Sequence, residues 1–385
     1  LSQLVRTLNT QGIRGALKRA QVSPQVHSAP EVFEAEQVED IGSPDGPETL
    51  PVTEQPDVSI IIPVFNKWEF TAACLRSLAE IPSRASVEVI VVDDQSSDET
   101  PTRLEMIEGL ITVRNEENLG FIGSCNKGAQ RANGRYLVML NNDTQVVEGW
   151  LDALLDTFQQ FPDTGMVGAR LVYPDGKLQE DGGIIFSDGS GWNYGRGDDP
   201  DKPEYQYVRE VDYCSGACIM LEKKVFDQLN GFDTHYSPAY YEDTDLAFRV
   251  RQLGLKVRVQ PRSTIVHHEG VSSGTDVAAG VKQYQVVNCQ KFLERWQQEL
   301  AGYPAPLSGP DDLAALRKAR DHRLKGRILV IDAYTPEPDQ DSGSLRLRYL
   351  LQCMQDLGYG VTFFAENRGH AGVYTTDLQQ EGVEV

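Results

Sequence analysis

The chain has 385 residues, 40% apolar and 24% charged, a globular balance with room for roughly two domains. Its net charge of -21 and pI near 4.7 argue against a nucleic-acid binder or a protein held to anionic lipid by charge. Small phosphate ligands stay open, because one divalent ion reverses the local sign, and no apolar run approaches the roughly twenty residues that span a bilayer.

Residues 1–20 have helical apolar spacing (Leu4, Val5, Leu8, Ile13, Leu17) on a basic background. A surface helix is the simplest account, with peripheral contact to a membrane or a preceding domain as the other. Residues 21–55 turn to Pro, Glu, Ser and Gly with little periodicity and read as a linker. From Asp57 the pattern alternates. Strands are expected at 58–63, 87–92, 111–114 and 136–140, with helices near 68–78, 99–108 and 123–132 between them. Strands separated by helices imply βαβ units and a parallel sheet. An amphipathic helix at 150–161 and a strand at 166–171 follow.

Residues 174–203 are rich in Gly, Asp and aromatics and read as a long loop, more often functional than decorative inside a compact domain. Strand-like residues return at 207–212 and 218–221, and helices are expected at 223–229 and 242–253. A strand at 256–260 and a helix over 276–300 close this region. A Pro-rich break at 304–310 and a charged helix at 313–324 lead to a new strand at 327–332, a helix at 344–357 and a strand at 360–364. That ending reads as the start of a βαβ unit. The expected organisation is 1–20 helix, 21–55 linker, 56–303 main domain, 304–326 linker and 327–385 the opening of a second domain.

Short apolar runs that end in polar groups carry the chemistry. Val87–Val92 runs into Asp93 and Asp94, and Leu137–Leu140 runs into Asn141, Asn142 and Asp143. In a parallel sheet such ends line one crevice, here with Asn66, Asp93, Asp94 and Asp143. A hard divalent cation, Mg²⁺ or Mn²⁺, takes oxygen ligands and bridges a carboxylate to a diphosphate, which suits Asp143. Asp94 suits a ribose or base. For any one of these Asp residues, a helix cap or turn is the plainer reading.

Gly120 and Gly123 lie where a tight turn opens a helix, and free N–H groups there could face a diphosphate. No P-loop and no Gly-x-Gly-x-x-Gly after the first strand is present. Tyr240–Leu246 puts Glu242 and Asp243 at a helix start, read either as acidic first-turn residues or as a fixed general base walled by tyrosines. Of the adjacent His267 and His268, at most one binds a given ion, and a neutral imidazole can complete a Mn²⁺ site that an Asp begins. The six cysteines are scattered, Cys214 and Cys218 lack a second pair at metal-site spacing, and core packing in a reducing compartment is expected.

In order along the chain, Val58–Asn66, Val91–Ser96, Asn118–Phe121, Leu140–Asp143, Gly231–Asp233, Tyr241–Leu246 and His267–Glu269 together resemble family 2 glycosyltransferases of the GT-A fold. The resemblance covers about Asp57–Trp296. It implies a doubly wound, mostly parallel α/β sheet, a UDP- or dTDP-sugar donor, Mn²⁺ or Mg²⁺, and inversion at the anomeric carbon. It also implies a cytoplasmic enzyme, at the inner membrane face, acting on a glycan or lipid-linked glycan of the cell-surface polysaccharide or O-antigen type.

Carried over by position, Pro63, Phe65 and Asn66 line the nucleotide pocket, with Asp94 on the base or ribose side and Asp93, Asn118 and Gly120 beside it. Asn141-Asn142-Asp143 stands in place of an Asp-x-Asp motif with only its last member acidic. Asp143 then carries the metal contact and His267 becomes the second ligand, preferred over His268 for its spacing to Ser272. Asp243 is the base, with Glu242 next to it, and Trp192, Tyr194, Ser215 and Gly216 border the acceptor. Residues 327–385, with Asp341–Arg346 as a glycine-containing loop, resemble the beginning of a GT-B transferase, which implies two transferases in tandem. The competing readings are a sugar nucleotidyltransferase, which would carry a Gly-rich basic loop where Asn66-Lys67-Trp68 stands, and a non-catalytic glycan-binding module.

Overall fold

The computed structural model describes residues 41–43, 45–268, 283–307, 312–369 and 371–385. The expected helix at 1–20, most of the expected linker, and the first part of the helix expected from Asp276 lie outside the described residues. The chain forms two compact units, a larger one of Glu34–Pro200 with Arg209–Ala319 and a smaller one that includes Asp201–Val208 and Arg320–Val385.

The larger unit is built on a ten-stranded sheet in the order β10 (Arg209–Glu210), β12 (Lys256–His267), β6 (Thr164–Val172), β11 (Cys218–Glu222), β4 (Tyr136–Leu140), β1 (Val58–Val64), β2 (Val87–Asp93), β3 (Ile111–Arg114), with β5 (Thr144–Val146) and β7 (Leu178–Glu180) at its margin. Its first strands, β1 (Val58–Val64), β2 (Val87–Asp93), β3 (Ile111–Arg114) and β4 (Tyr136–Leu140), pair in parallel. Strand β11 (Cys218–Glu222) runs antiparallel between β4 and β6 (Thr164–Val172). Because β12 (Lys256–His267) is parallel to β6, the six strands β1, β2, β3, β4, β6 and β12 all point one way.

Alternation along the strands divides the core. Ile60, Ile62 and Val64 pack with Ala72 and Leu75 of α1 (Trp68–Glu80) and Leu154 of α4 (Trp150–Gln160). Their neighbour Ile61, with Ile90 and Val92, faces α3 (Gly120–Arg131) through Ile122, Cys125 and Ala129. That second layer continues into α6 (Glu242–Gln252) and α7 (Gln283–Leu300) through Leu246, Val250, Phe292 and Trp296. No helix among the described residues is long and apolar enough to cross a membrane.

Three expectations give way to tertiary pairing. The helix expected over 99–108 is only α2 (Thr100–Leu104), because Glu108 leaves the helical path to exchange backbone bonds with Glu48 and Leu50. The expected loop 174–203 contains β7 (Leu178–Glu180), laid antiparallel on β6, and a hairpin of β8 (Gly183–Ile185) and β9 (Gly191–Asn193). Gly183 is a glycine of necessity, since a Cβ there would sit 1.9 Å from the Tyr213 ring. The strand expected to end at Gln260 runs through Pro261 to His267, with a register break between Gln260 and Thr264 where proline offers no N–H.

Two short strands finish the sheet, β5 (Thr144–Val146) on β12 and β10 (Arg209–Glu210), a shorter strand than the sequence implied for 207–212. Helix α5 (Lys223–Gln228) follows β11, and α8 (Leu313–Arg320) ends four residues before the limit expected from sequence.

The smaller unit is a parallel sheet of β13 (Arg327–Asp332), β14 (Gly360–Ala365) and β15 (Val383–Glu384), in that order. Its helices are α9 (Ser342–Asp356) and α10 (Val373–Gln380), and Leu351, Phe363, Leu378 and Val383 form its core. The segment therefore goes further than a βαβ start, adding a second helix and a third strand.

Candidate active site

The six co-directional strands deliver their C-terminal ends to one rim, and a cleft of about 480 Å³ opens beside the ends of β4 and β12. Asn141, Asp143, Trp192, Ser215, Gly216, Glu242, Asp243 and His267 all line it. The pairing register explains why residues so far apart in sequence meet. Strand β11 begins where β4 ends, with Cys218 opposite Leu140, so the Ser215–Ala217 turn faces Asn141, whose N–H donates to the Ala217 carbonyl (3.0 Å). Strand β12 ends with His267 opposite Thr144, and the His268 N–H donates to the Asp143 carbonyl (2.9 Å).

That register brings His267 Nε2 within 3.2 Å of Asp143 Oδ1. The other ring nitrogen, Nδ1, is 3.0 Å from Gln179 Oε1 on β7. With Gln179 accepting from Nδ1–H, the lone pair sits on Nε2 and converges with the carboxylate oxygen, a donor set that suits a divalent cation. Among the described residues no group of three His, Cys, Asp or Glu is placed to hold a metal ion. His268 turns elsewhere, with Nε2 2.8 Å from Gln145 Oε1 and its ring against Phe70, and burial lowers its pKa.

Helix α6 carries the second group. Asp243 Oδ2 accepts from the Gly216 N–H (2.9 Å), and Oδ1 accepts from the Thr244 N–H (2.6 Å) and hydroxyl (3.1 Å). Burial raises its pKa despite those donors. Glu242 is 5% exposed, its Oε2 has no hydrogen-bond partner among the described residues, and burial followed by the Asp243 charge pushes its pKa well up.

Tyr240 and Tyr241, just before the helix, hold left-handed φ values of 74° and 71°, a strained conformation for bulky residues. Asn288 of α7 pins this turn by donating from Nδ2 to the carbonyls of Tyr236 (2.7 Å), Ala239 (2.9 Å) and Tyr240 (3.0 Å). Sequence reasoning missed Asn288, because an Asn in a helix carries no mark of the three carbonyls that fold against it.

The ends of β1 and β2 look different. Asp94 Oδ1 accepts from the Leu119 N–H (2.7 Å) and Asn115 Nδ2 (2.7 Å), and Oδ2 accepts from the Gly120 N–H (2.8 Å). The expected free N–H at Gly120 is therefore committed to Asp94, and also lies 3.2 Å from Asn118 Oδ1. Asn118 Nδ2 in turn donates to the Asp94 carbonyl (3.3 Å). Asp93 binds the Arg114 guanidinium and the Ser96 N–H (2.8 Å). Asn66 Oδ1 accepts from the Ser97 (2.8 Å) and Asp98 (3.3 Å) N–H groups. Pro63 is the penultimate residue of β1, opposite Val92, and Phe65 is 50% exposed. None of these residues lines the cleft at the end of β4.

Two expected site residues turn away from that cleft. Asn142 donates from Nδ2 to Thr71 Oγ1 on α1 (3.0 Å), because successive residues after a strand point in opposite directions. Tyr194 is 1% exposed, with the Arg209 guanidinium 4.8 Å from its ring centre, so Trp192 and not Tyr194 faces the cleft. Residues unforeseen from sequence also line it, among them Glu180, Asn193, Arg196 and Gln285. Glu180, Asn193 and Arg196 lie in the 174–203 segment that the sequence marks only as a Gly-rich loop, and Gln285 carries no local signal.

Residues 59–229 match the sequence profile described as "Glycosyl transferase family 2", and residues 201–269 match "N-terminal domain of galactosyltransferase". The chain is 29% identical over 239 residues to the O-antigen biosynthesis protein RfbC of Myxococcus xanthus, covering 59% of this chain and 18% of that protein. It is 26% identical over 286 residues to the N-acetylglucosaminyl-diphospho-decaprenol L-rhamnosyltransferase of Mycobacterium tuberculosis, covering 65% of this chain and 91% of that protein. The chain thus spans a small part of some relatives, 18% of RfbC and 26% of the protein y4gI of Sinorhizobium fredii. Its fold is similar to the crystal structure of GalNAc-T7 with UDP, GalNAc and Mn2+, with TM-score 0.52, 18% identity, and coverage of 70% of this chain and 55% of that one.

Proposed function

We propose that this chain, whose residues 59–229 match the glycosyltransferase family 2 profile, is an inverting, metal-dependent transferase domain of that family that moves a sugar from a nucleotide-diphosphate-sugar to a hydroxyl of a growing glycan. One observation carries the reading. A single cleft holds both a convergent carboxylate–imidazole pair, Asp143 with His267, and a buried carboxylate, Asp243, on the start of a helix.

Asp143 Oδ1 and His267 Nε2 would hold the Mn²⁺ or Mg²⁺, and Gln179 fixes the imidazole orientation. When bound, such an ion neutralises charge that develops on a leaving diphosphate. Asp243 takes the proton of the acceptor hydroxyl as that oxygen attacks the sugar from the face opposite the diphosphate. Its raised pKa brings it toward the operating pH, where a general base works best. The Gly216 and Thr244 donors fix the carboxylate, so its approach is set before the acceptor arrives. Trp192, with the Ser215-Gly216 turn, would border the acceptor.

The names of two relatives, one in O-antigen biosynthesis and one a rhamnosyltransferase of a diphospho-decaprenol glycan, support a polysaccharide or lipid-linked glycan acceptor. That acceptor class fits an enzyme working in the cytoplasm at the inner membrane face. The parallel β–α–β–α–β order of the smaller unit supports reading 327–385 as part of a GT-B-like domain in tandem.

Thermal-shift binding of UDP, dTDP, GDP and CDP, each with and without Mn²⁺, tests the reading. A ligand that binds only the folded state stabilises it by RT ln(1 + [L]/Kd), so a true ligand stands out. A Mn²⁺-dependent shift with one nucleotide is expected, and no shift with any of the four would overturn the proposal.

A further inference from the structure

Glu180 is a buried carboxyl for which the transfer reaction outlined above has no use. It sits at the end of β7, is 1% exposed, and lines the same cleft as Asp143 and Asp243. One oxygen has a structural task, since Oε1 accepts from the Ser215 N–H (2.9 Å). The other, Oε2, is buried and has no hydrogen-bond partner among the described residues. A buried polar oxygen left unpaired costs roughly 1–3 kcal/mol, so its retention on the wall of a cleft calls for a ligand that completes it.

The position narrows the ligand. Gln179, the preceding residue, meets His267, which meets Asp143. Ser215, which Glu180 binds, precedes Gly216, which binds Asp243. Glu180 therefore stands between the group proposed to hold the diphosphate and the group proposed to activate the acceptor. A sugar in transit between them must pass that point.

Resting on that proposed function, we infer that Glu180 binds a hydroxyl of the transferred sugar through Oε2 and so contributes to the choice of sugar. Burial pushes the Glu180 pKa up to about 8, with the Asp243 and Asp181 charges adding to it. At neutral pH the carboxyl then keeps its proton. Since Oε1 is taken by the Ser215 N–H, the proton belongs on Oε2, which can donate to a hydroxyl oxygen and need not repel a nearby diphosphate. The same neutrality suits Glu180 poorly as a second base beside Asp243.

The test measures calorimetric affinity, with Mn²⁺ present, for UDP, dTDP and GDP, and for UDP-glucose, UDP-galactose, UDP-N-acetylglucosamine, dTDP-rhamnose and GDP-mannose. The quantity read is the gain in affinity that a sugar brings over its own nucleoside diphosphate. Glu180→Gln keeps an acceptor for Ser215 and guards against misfolding, and Glu180→Ala removes both oxygens.

Wild-type protein is expected to bind one sugar nucleotide more tightly than its diphosphate. Glu180→Ala should lose about tenfold of that gain and flatten the preference among the sugars, while affinity for the bare diphosphate stays within about twofold. Glu180→Gln should fall between. A role confined to holding the Ser215 turn would leave the sugar preference intact in both variants, and that result overturns the inference. So does a wild-type protein in which no sugar adds affinity to a diphosphate that binds. Failure of every diphosphate to bind would instead overturn the proposed function itself.

Discussion

Two strand ends of this sheet look alike in sequence and behave differently in the fold. β2 and β4 are both short apolar runs that end in carboxylates, Asp93 and Asp94 in one case and Asp143 in the other. At the end of β2, protein donors surround the carboxylates: Arg114 and Ser96 on Asp93, and Asn115, Leu119 and Gly120 on Asp94. At the end of β4, Asp143 faces an imidazole, and the neighbouring Glu180 and Glu242 each bury an oxygen that lacks a donor among the described residues. A carboxylate satisfied from within holds structure, and one that burial leaves short of donors is held ready for a ligand or a proton.

The sharpest way to break this contrast is Asp243→Asn. It should lower kcat for sugar transfer by roughly 10²–10⁴-fold while nucleotide binding and the melting temperature are kept. Steady-state kinetics beside thermal shift would show it, and an active variant would remove Asp243 from the role of base. Next is Gln179→Ala, which frees the His267 ring to rotate. Mn²⁺-dependent nucleotide affinity should fall roughly 10–100-fold, with metal-free affinity unchanged, in a calorimetric titration.

On the satisfied side, Asp94→Ala strips the start of α3 of its acceptor and should cost about 2 kcal/mol of stability by chemical denaturation. Asp143→Ala should cost much less by the same measure. Equal losses would erase the distinction between the two strand ends.

A separate expected effect is a pH dependence. A carboxyl whose pKa is raised on folding stays protonated in the folded chain after the unfolded chain has released its proton. Its contribution is full below the unfolded value of 4.5 and is lost as pH rises through about 8 for Glu180. Wild type should therefore lose melting temperature relative to Glu180→Gln between pH 5 and pH 8, and a constant difference would argue that Glu180 titrates normally.

Much of the scaffold was legible in the chain. Val58–Val64, Val87–Asp93, Ile111–Arg114 and Tyr136–Leu140 announce themselves by apolar runs of strand length separated by helical spacing, and the structure keeps them within a residue or two. The same information located the carboxylates at strand ends and the acidic start of α6. It did not reveal the short pairings β7, β8 and β9, because three-residue strands carry too little periodicity to stand out from a Gly-rich loop.

What local sequence determined here is the order and direction of the main strands, since side-chain alternation and βαβ connection act over a few residues at a time. Tertiary structure decided which carboxylates are satisfied, because their partners come from afar. Gly120 reaches back 26 residues to Asp94, Gly216 lies 27 residues before Asp243, and His267 meets Asp143 only through the antiparallel register that sets it opposite Thr144. Hydrogen-bond satisfaction is a property of the assembled surroundings of an atom, and no window of neighbouring residues contains it.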